Sequence, residues 1–381
     1  MNRLLFVSAQ ALALASTLLG CSSQSLDSSD GGSGGPAIEI AQLTEVYEPV
    51  AKVPLSATSL SFNPTVDGEL WVSLRQFPSG LPCNTDTDPG CKALPGVMGV
   101  ISGATGDKPQ ATIKQDDNAW HFMRRPTAIA WGDGEYFASC GEARTDNWED
   151  EATPYAGPVL WSSNPSVFGV KPLEGQNGTH LDMLHETPYC MGIAHERANV
   201  FWAFNGDVGA LDRVDFHKPH KIGGEDHSDG EVHRYVTGQL LRVPEVPSHL
   251  AYDTARDLVY VADTGHGRVL RVDPSTATAG EDIVVYELLA ASGSMDGATV
   301  TELVPAGIIE RPSGMALDAD TLYVTDNASG LIYVLDVTGK QQRVIDTGLA
   351  AGALAGVTLG PDNKLYVTSL ADGTVSRVEV P

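Results

Sequence analysis

Histidine and carboxylate side chains are concentrated in one short segment near the middle of the chain. His180, Asp182 and His185 fall within the sequence GTHLDMLHETP, which is predicted as the loop that leads into the third of six repeats. Imidazole and carboxylate groups bind borderline cations such as zinc and copper, and they also serve as acid and base in proton transfer. The segment therefore indicates a metal or proton-transfer site, with simple hydrogen-bonded loop formation as the alternative for both histidines.

Two further histidines belong to the predicted repeats described below. His249 replaces the glycine that the next repeat has at Gly314, where an inner strand begins beside the central channel. His266 follows Asp263, which recurs as Asp326 and is therefore interpreted as a turn-capping residue; His266 is alternatively an exposed turn residue. The ligand set predicted for one face of the fold is His180, Asp182, His185, His249 and His266.

The densest histidine and acid run is DFHKPHKIGGEDHSDGEVHRY, residues 215–235. Its spacing matches no standard zinc motif. Asp226, His227 and Asp229 form a possible second site for calcium or zinc, and a solvated loop without an ion is the alternative. The predicted strand order puts this run on the opposite face from the first cluster, although a shift of one strand would join the two.

Complete catalytic motifs are missing from the sequence. It contains no P-loop, no dinucleotide-binding glycine pattern after a strand, no G-x-S-x-G elbow, no H-E-x-x-H and no c-type haem motif. Nothing therefore indicates a nucleotide, a serine nucleophile or an electron carrier, and no catalytic residue is assigned.

The elements that must position these side chains form a repeat. After Pro36, a short apolar strand, a polar turn and a second strand recur six times, and most copies have a third strand. Alternating β-branched and aromatic runs separated by turn residues indicate antiparallel strands, and repeats of roughly 40 to 65 residues are typical of propellers. We predict an all-β, six-bladed β-propeller over residues 37–381, whose last blade is closed by the N-terminal strand Ile38–Tyr47.

Copies four to six resemble a known repeat. Their sequences, PSHLAYD…LVYVADTGHGRVLRVD, PSGMALD…LYVTDNASGLIYVLD and LAGVTLGPDNKLYVTSLADGTVSRVEV, resemble NHL repeats. They also resemble the six-bladed superfamily of SMP-30-type lactonases, virginiamycin B lyase and the peptidyl-amidating lyase domain. The resemblance implies the fold. It does not imply amidating activity, because that family places histidines at the start of the inner strands of several blades, where this chain has only His249 beside Gly314 and Gly356.

The N-terminus reads as an export signal. Residues 1–20 have a basic start at Arg3 and a short apolar stretch, followed by Leu18-Leu19-Gly20-Cys21, which resembles the bacterial lipobox. An ordinary signal peptide with a chance cysteine is the alternative. Residues 22–36 form a Ser/Gly/Asp-rich linker that cannot fold by itself. We predict lipidation at Cys21 and a place in the bacterial cell envelope. Resemblance to the enterobacterial sorting signal, with Ser22 rather than Asp after the cysteine, implies the outer membrane.

Cysteine usage and charge agree with export. The remaining cysteines predict disulfides between Cys83 and Cys91 and between Cys140 and Cys190, with free buried thiols as the alternative. The formal net charge is −25. Such a chain repels nucleic acid, so we expect no nucleic-acid partner.

Two functional hypotheses follow from these patterns. The first is a lipid-anchored extracytoplasmic propeller that binds a protein, glycan or small molecule on its upper face, with one divalent ion, zinc, copper or calcium. The second is a metal-dependent hydrolase or lyase at the mouth of the central channel. An enzyme needs three or more ligands around one point. A binding surface would instead show scattered histidines beside exposed aromatics such as Trp120, Trp148 and Trp161.

Overall fold

The structure, a computed structural model, describes residues 37–43, 55–76, 95–146 and 153–379. Six small β-sheets make up almost all of the regular secondary structure in this part of the chain, which confirms the predicted six-bladed propeller. The predicted signal peptide, Cys21, the linker, Cys83, Cys91 and Trp148 lie outside the described residues.

Each blade is an antiparallel sheet whose first strand lies innermost. Blade 1 consists of β2 (Leu55–Phe62), β3 (Leu70–Gln76), β4 (Val97–Ser102) and β5 (Gln110–Lys114). Blade 2 consists of β6 (Pro126–Trp131), β7 (Tyr136–Gly141), β8 (Val159–Ser162) and β9 (His180–Met183). Blade 3 begins with β10 (Cys190–Arg197), β11 (Val200–Asn205), β12 (Ala210–Asp215) and β13 (Glu231–Tyr235).

The second half of the ring repeats this order. Blade 4 consists of β14 (Leu250–Asp253), β15 (Leu258–Asp263), β16 (Arg268–Asp273) and β19 (Thr299–Val304). Blade 5 consists of β20 (Pro312–Asp318), β21 (Thr321–Asp326), β22 (Leu331–Asp336) and β23 (Gln341–Asp346). Blade 6 consists of β24 (Leu354–Leu359), β25 (Leu365–Ser369), β26 (Thr374–Val378) and β1 (Ile38–Gln42).

The last blade takes its outer strand from the N-terminal end, as predicted. Strand β1 pairs antiparallel with β26, with Ile38 opposite Arg377 and Gln42 opposite Thr374. The strand ends earlier than the predicted Tyr47, and residues 44–47 lie outside the described part of the chain. Pairing the two ends of the chain within one sheet closes the ring and protects the edge of blade 6.

The cores lie between neighbouring blades. Trp71 of blade 1 makes edge contacts with Trp131 and Phe137 of blade 2, and the ring centroids are 5.2 Å apart in both pairs. Burying one aromatic side chain of this size contributes about 5 kcal/mol by area, before entropy is counted. The blades are therefore held together mainly by apolar side chains at their faces.

Blades 2 and 3 are also joined covalently. Cys140 of β7 and Cys190 at the start of β10 form a disulfide with a Cα–Cα distance of 5.5 Å. This confirms the second predicted pair. The bond fixes the two blades that carry most of the histidines.

An insertion enlarges blade 3 beyond four strands. The chain between β16 and β19 of blade 4 crosses to blade 3 and forms β17 (Thr278–Ala279) and β18 (Ala291–Asp296). Strand β18 pairs in parallel with the outer strand β13. We call residues 277–298 the crossover arm; it places one side chain of the site described next.

Candidate metal centre

Five histidines meet on the rim of the ring, between blades 2 and 3. They are supplied by the short helix α1 (Ala119–Phe122), by β9 and the turn after it, and by the loop between β12 and β13. Ring centroids of neighbouring histidines are 4.9 to 6.4 Å apart. The five residues, called the histidine cluster below, are His121, His180, His185, His220 and His227.

The cluster joins two segments that were predicted from the strand order to lie on opposite faces, and that prediction is wrong. Residues 180–183 form the outermost strand of blade 2, whereas they were expected in a loop leading into the third copy. The loop from blade 3 lies along this strand, with hydrogen bonds from the His220 N–H to the Leu181 carbonyl and from the Gly223 N–H to the His180 carbonyl, both 2.9 Å. The predicted strand order of the third copy is nevertheless correct.

Glycine at position 223 permits this close approach. Gly223 has a φ of +64°, which favours glycine, and a Cβ there would lie 2.7 Å from the backbone nitrogen of Asn177. The loop can therefore lie against blade 2 and direct His220 and His227 toward the histidines of β9 and its following turn.

Every histidine of the cluster has its Nδ1 atom hydrogen-bonded to an oxygen. Three of them bond to backbone carbonyls: His121 to Asp146 at 2.8 Å, His180 to Asn177 at 2.9 Å, and His220 to Lys221 at 2.6 Å. A carbonyl oxygen only accepts, so these three imidazoles carry their proton on Nδ1 when neutral. Their Nε2 atoms then present a lone pair.

The other two histidines share one carboxylate. Oε1 of Glu287 lies 3.0 Å from Nδ1 of His185, and Oε2 lies 2.9 Å from Nδ1 of His227. Glu287 also accepts the backbone N–H of His185 at 2.8 Å. Because Glu287 belongs to the crossover arm, blade 4 orients two rings that blades 2 and 3 supply.

Three Nε2 atoms of the cluster lack a hydrogen-bond partner among the described residues. They belong to His185, His220 and His227, and all three are buried. One ligand atom from each of His180, His220 and His227 lies within 4.8 Å of the others, and the same holds for His185, His227 and Glu287. Histidines that bind metals usually donate their second ring N–H to a carbonyl or carboxylate, which is the pattern seen here.

Burial keeps most of these imidazoles neutral. It lowers the pKa of His121 to about 4 and that of His180 to about 3, and it lowers the pKa values of His185 and His220 as well. A neutral imidazole is the form that binds a metal ion.

His227 and Glu287 form the charged pair of the cluster. Burial acts to lower the pKa of His227, but its hydrogen bond and attraction to Glu287 raise it above the ordinary value. Burial acts to raise the pKa of Glu287. Its hydrogen bonds with His185 and His227 outweigh that effect and bring the pKa down to about 2. Glu287 is therefore ionised at neutral pH and holds both rings.

Two carboxyl groups are buried beside the histidines. Burial raises the pKa values of Asp146 and Asp182 to about 8. Asp182 accepts the N–H of Met183 through Oδ1, while its Oδ2 is buried without a partner among the described residues. Asp182 thus lies next to the cluster, although it belongs to neither group of converging ligand atoms.

The other predicted ligands lie elsewhere or point away. His249 lines the central channel, where its Nε2 is 3.1 Å from the carbonyl of Thr127, and burial lowers its pKa to about 4. His266 is half exposed and bonds to Asp263 at 2.8 Å on its own turn. Asp226 bonds to Ser228, and Asp229 accepts a backbone N–H from the same loop. The structure therefore brings together only part of each predicted set.

The cluster faces a cavity of about 600 Å³, a size typical of small-molecule sites. Trp120 is partly exposed at its wall, and Tyr155 stacks on His185 with ring centroids 3.7 Å apart. Phe122 stacks on His180 at 3.6 Å. Flat aromatic contacts restrict the rotation of both imidazoles and leave an apolar wall for a ligand.

Sequence reasoning missed Glu287 and Tyr155, and it assigned neither His121 nor His220 to a ligand set. Glu287 follows His227 by sixty residues and lies in a segment without a repeat signal. The signal that could have revealed it is the unusual length of the connection between the third and fourth strands of copy four, because long insertions in propellers carry function.

Comparisons with known proteins support the architecture of a six-bladed propeller. Regucalcin, a calcium-binding protein from Agrobacterium tumefaciens, has a TM-score of 0.51 at 14% identity, covering 91% of this chain and 94% of that protein. An auxiliary nutrient binding protein from Bacteroides ovatus has a TM-score of 0.52 at 10% identity, covering 90% of this chain and 76% of the other. No family model matches this chain, and no curated protein matches it.

Proposed function

We propose that this protein is a lipid-anchored, extracytoplasmic propeller that binds a transition-metal ion in the histidine cluster and a small ligand in the cavity beside it. The observation that carries the proposal is the orientation of the five imidazoles. Each Nδ1 is held by an oxygen, and three buried Nε2 atoms have no partner among the described residues. A cation is the group that satisfies several converging nitrogen lone pairs at once.

The donor atoms favour zinc or copper over calcium. Calcium prefers six to eight oxygen ligands, whereas His180, His220 and His227 offer nitrogen. Imidazole suits zinc and copper. The calcium ascribed to regucalcin therefore does not carry over to this cluster, and Asp226 and Asp229 remain the oxygen-rich alternative for calcium.

The proposal includes a location in the bacterial cell envelope. Cys21 and the linker that follows it support an anchor in the bacterial envelope, and Ser22 after the cysteine favours the outer membrane by resemblance to the enterobacterial sorting signal. The nutrient binding by the Bacteroides ovatus protein agrees with a role in capturing a ligand. The described part of the chain has no helical segment with the length and apolar character needed to cross a bilayer.

A metal-dependent hydrolase is the second candidate function. Catalytic zinc sites combine three protein ligands with one open position. Three imidazoles beside a cavity of about 600 Å³ provide such an arrangement. If this is the function, the reaction takes place at the rim, away from His249 and the channel mouth.

Metal content tests the proposal directly. Full-length protein, purified without a histidine tag from the bacterial envelope, would be analysed by elemental mass spectrometry beside His227→Ala and His249→Ala. We expect one zinc or copper per chain in the wild type and in His249→Ala, and none in His227→Ala. The histidine cluster would lose its proposed role if the wild type held no stoichiometric metal, or if only His249→Ala lost it.

A further inference from the structure

A second cavity, of about 370 Å³, lies at one mouth of the central channel, where the inner strands begin. Its wall includes Leu55 at the start of β2, Arg75 near the end of β3, Val246 before β14 and Arg311 before β20. Among the described residues it shares no lining side chain with the cavity of the histidine cluster. We call it the mouth cavity.

One wall of the mouth cavity is a fixed ionic network around Glu142. The buried carboxylate of Glu142 accepts Nη1 of Arg75 at 3.0 Å and Nη2 of Arg125 at 3.3 Å. Its other oxygen accepts Nη1 of Arg242 at 2.6 Å. Arg75 also donates from Nη2 to the carbonyl of Glu245 at 2.6 Å. Charge-assisted hydrogen bonds of this kind hold the three guanidinium groups in place.

The guanidinium of Arg311 differs from these three, because no carboxylate among the described residues pairs with it. Its Nη1 donates to the amide oxygen Oδ1 of Asn327 at 3.3 Å. The neighbouring acid, Asp326, binds other groups: its Oδ1 accepts the backbone N–H of Arg311 and of Ala328, and its Oδ2 accepts the hydroxyl of Ser329. A guanidinium stays ionised at neutral pH, so Arg311 brings a positive charge to the cavity wall.

Asn327 fixes the direction of the Arg311 guanidinium. Nδ2 of this buried amide donates to the carbonyls of Gly352 at 3.0 Å and Leu354 at 2.8 Å. These two bonds use both amide protons, so Oδ1 is the atom that accepts from Arg311. A charge that is already held in position loses less conformational entropy when it binds a ligand.

The lining of the mouth cavity favours an organic carboxylate as the ligand. A guanidinium presents parallel N–H donors that match the two oxygens of a carboxylate. Leu55, Val246 and Leu370 add apolar surface, which an inorganic anion would not use. Glu245 also lines the cavity, but its carboxylate lies 3.9 Å from Arg125, which offsets its charge.

We propose that the mouth cavity binds a small organic acid, with its carboxylate on Arg311 and its apolar body against Leu55, Val246 and Leu370. The inference goes beyond the proposed function, because this site contains none of the five histidines of the cluster and needs no metal ion. The protein would then have two separate ligand sites, one on the rim and one at the channel.

Calorimetry with small probes tests this inference. Full-length protein in EDTA would be titrated with hexanoate, with hexanamide as its neutral counterpart, and with inorganic phosphate. We expect hexanoate to bind to the wild type, and Arg311→Gln to weaken this binding about 10- to 100-fold, because hydrogen bonds to a charged group are lost. Arg311→Lys keeps the charge without the paired donors and should have an intermediate affinity.

Arg271→Gln is the matched control. Arg271 is also half-buried, and its side chain likewise bonds to a neutral group, the hydroxyl of Thr301 at 3.5 Å. It lies on β16, outside the lining of the mouth cavity. The hexanoate affinity of this variant should therefore equal that of the wild type.

Four outcomes would overturn the proposed site. They are no binding of hexanoate to the wild type, equal hexanoate affinity in the wild type and Arg311→Gln, hexanamide binding as tight as that of hexanoate, and binding of phosphate alone. If Arg311→Gln does not fold, Arg311→Lys takes its place, and an unchanged affinity there has the same meaning. Because EDTA removes metal from every sample, these results do not depend on whether the histidine cluster binds an ion.

Discussion

Nδ1 of His227 lies 2.9 Å from Oε2 of Glu287, and the two residues come from the insertions of different blades. His227 belongs to the long loop of blade 3, and Glu287 to the crossover arm that leaves blade 4. One carboxylate thus determines the orientation of His227 and, through its other oxygen, of His185. The histidine cluster depends on the assembly of blade 4 with blades 2 and 3, although blade 4 supplies none of its imidazoles.

Replacing this carboxylate tests its orienting role. We expect Glu287→Gln to weaken metal binding by about 10- to 100-fold, because the amide holds His185 and His227 less firmly and removes a negative charge beside the ion. Metal content at saturation should be unchanged. Competition titration against a chelator measures the affinity, and Glu281→Gln on the exposed part of the same arm is the control. Equal affinities in both variants would contradict the role assigned to Glu287.

The buried carboxyl of Asp182 predicts a pH dependence in the metal-free protein. Its pKa is raised from 3.8 to about 8, so its contribution to stability is present below pH 3.8 and is lost as the pH rises toward 8. The side chain in Asp182→Asn carries no charge at any pH. At pH 8 the free energy of unfolding of this variant should therefore exceed that of the wild type by about 1–3 kcal/mol. Urea unfolding at pH 5 and pH 8 in the presence of EDTA measures this. A variant with the same pH dependence as the wild type would show that Asp182 ionises freely.

The disulfide between blades 2 and 3 predicts a stability difference. Cys140 and Cys190 are separated by 50 residues, and closing a loop of that length stabilises the folded state by about 4 kcal/mol in the chain-entropy model. The free energy of unfolding of Cys140→Ser/Cys190→Ser, measured with denaturant, should be lower than that of the wild type by about this amount. Adding a reductant should lower the midpoint of the wild type more than that of the double variant, which keeps only the predicted Cys83–Cys91 bond. A reductant effect of equal size in both proteins would contradict a stabilising role for the Cys140–Cys190 bond.

Lipidation predicts where the protein is found in a cell. We expect Cys21→Ser to move the protein from the membrane fraction to the soluble fraction, because the acyl chains provide the anchor. Immunoblotting of separated fractions measures the change, and Ser23→Ala in the linker is the control. A Cys21→Ser protein that stays in the membrane fraction would exclude a lipid anchor at this residue.

The amino-acid sequence by itself was sufficient to predict the repeat, the six blades, the closing strand and the Cys140–Cys190 bond. Each of these depends on local alternation, turn residues or a count of cysteines, which are properties of neighbouring positions. The sequence also showed that the histidines at 180, 185 and 227 are candidates for ligands.

Only the tertiary structure decided which of those histidines meet. Residues 180–183 form an outer strand. A loop from the next blade lies along the edge of this strand, where His220 and Gly223 donate backbone hydrogen bonds to it. Contact between loops of different blades depends on their course through space, which periodicity does not encode. For the same reason His249, singled out by its departure from the repeat, lies in the channel and apart from the cluster, while Glu287 reaches the cluster from blade 4.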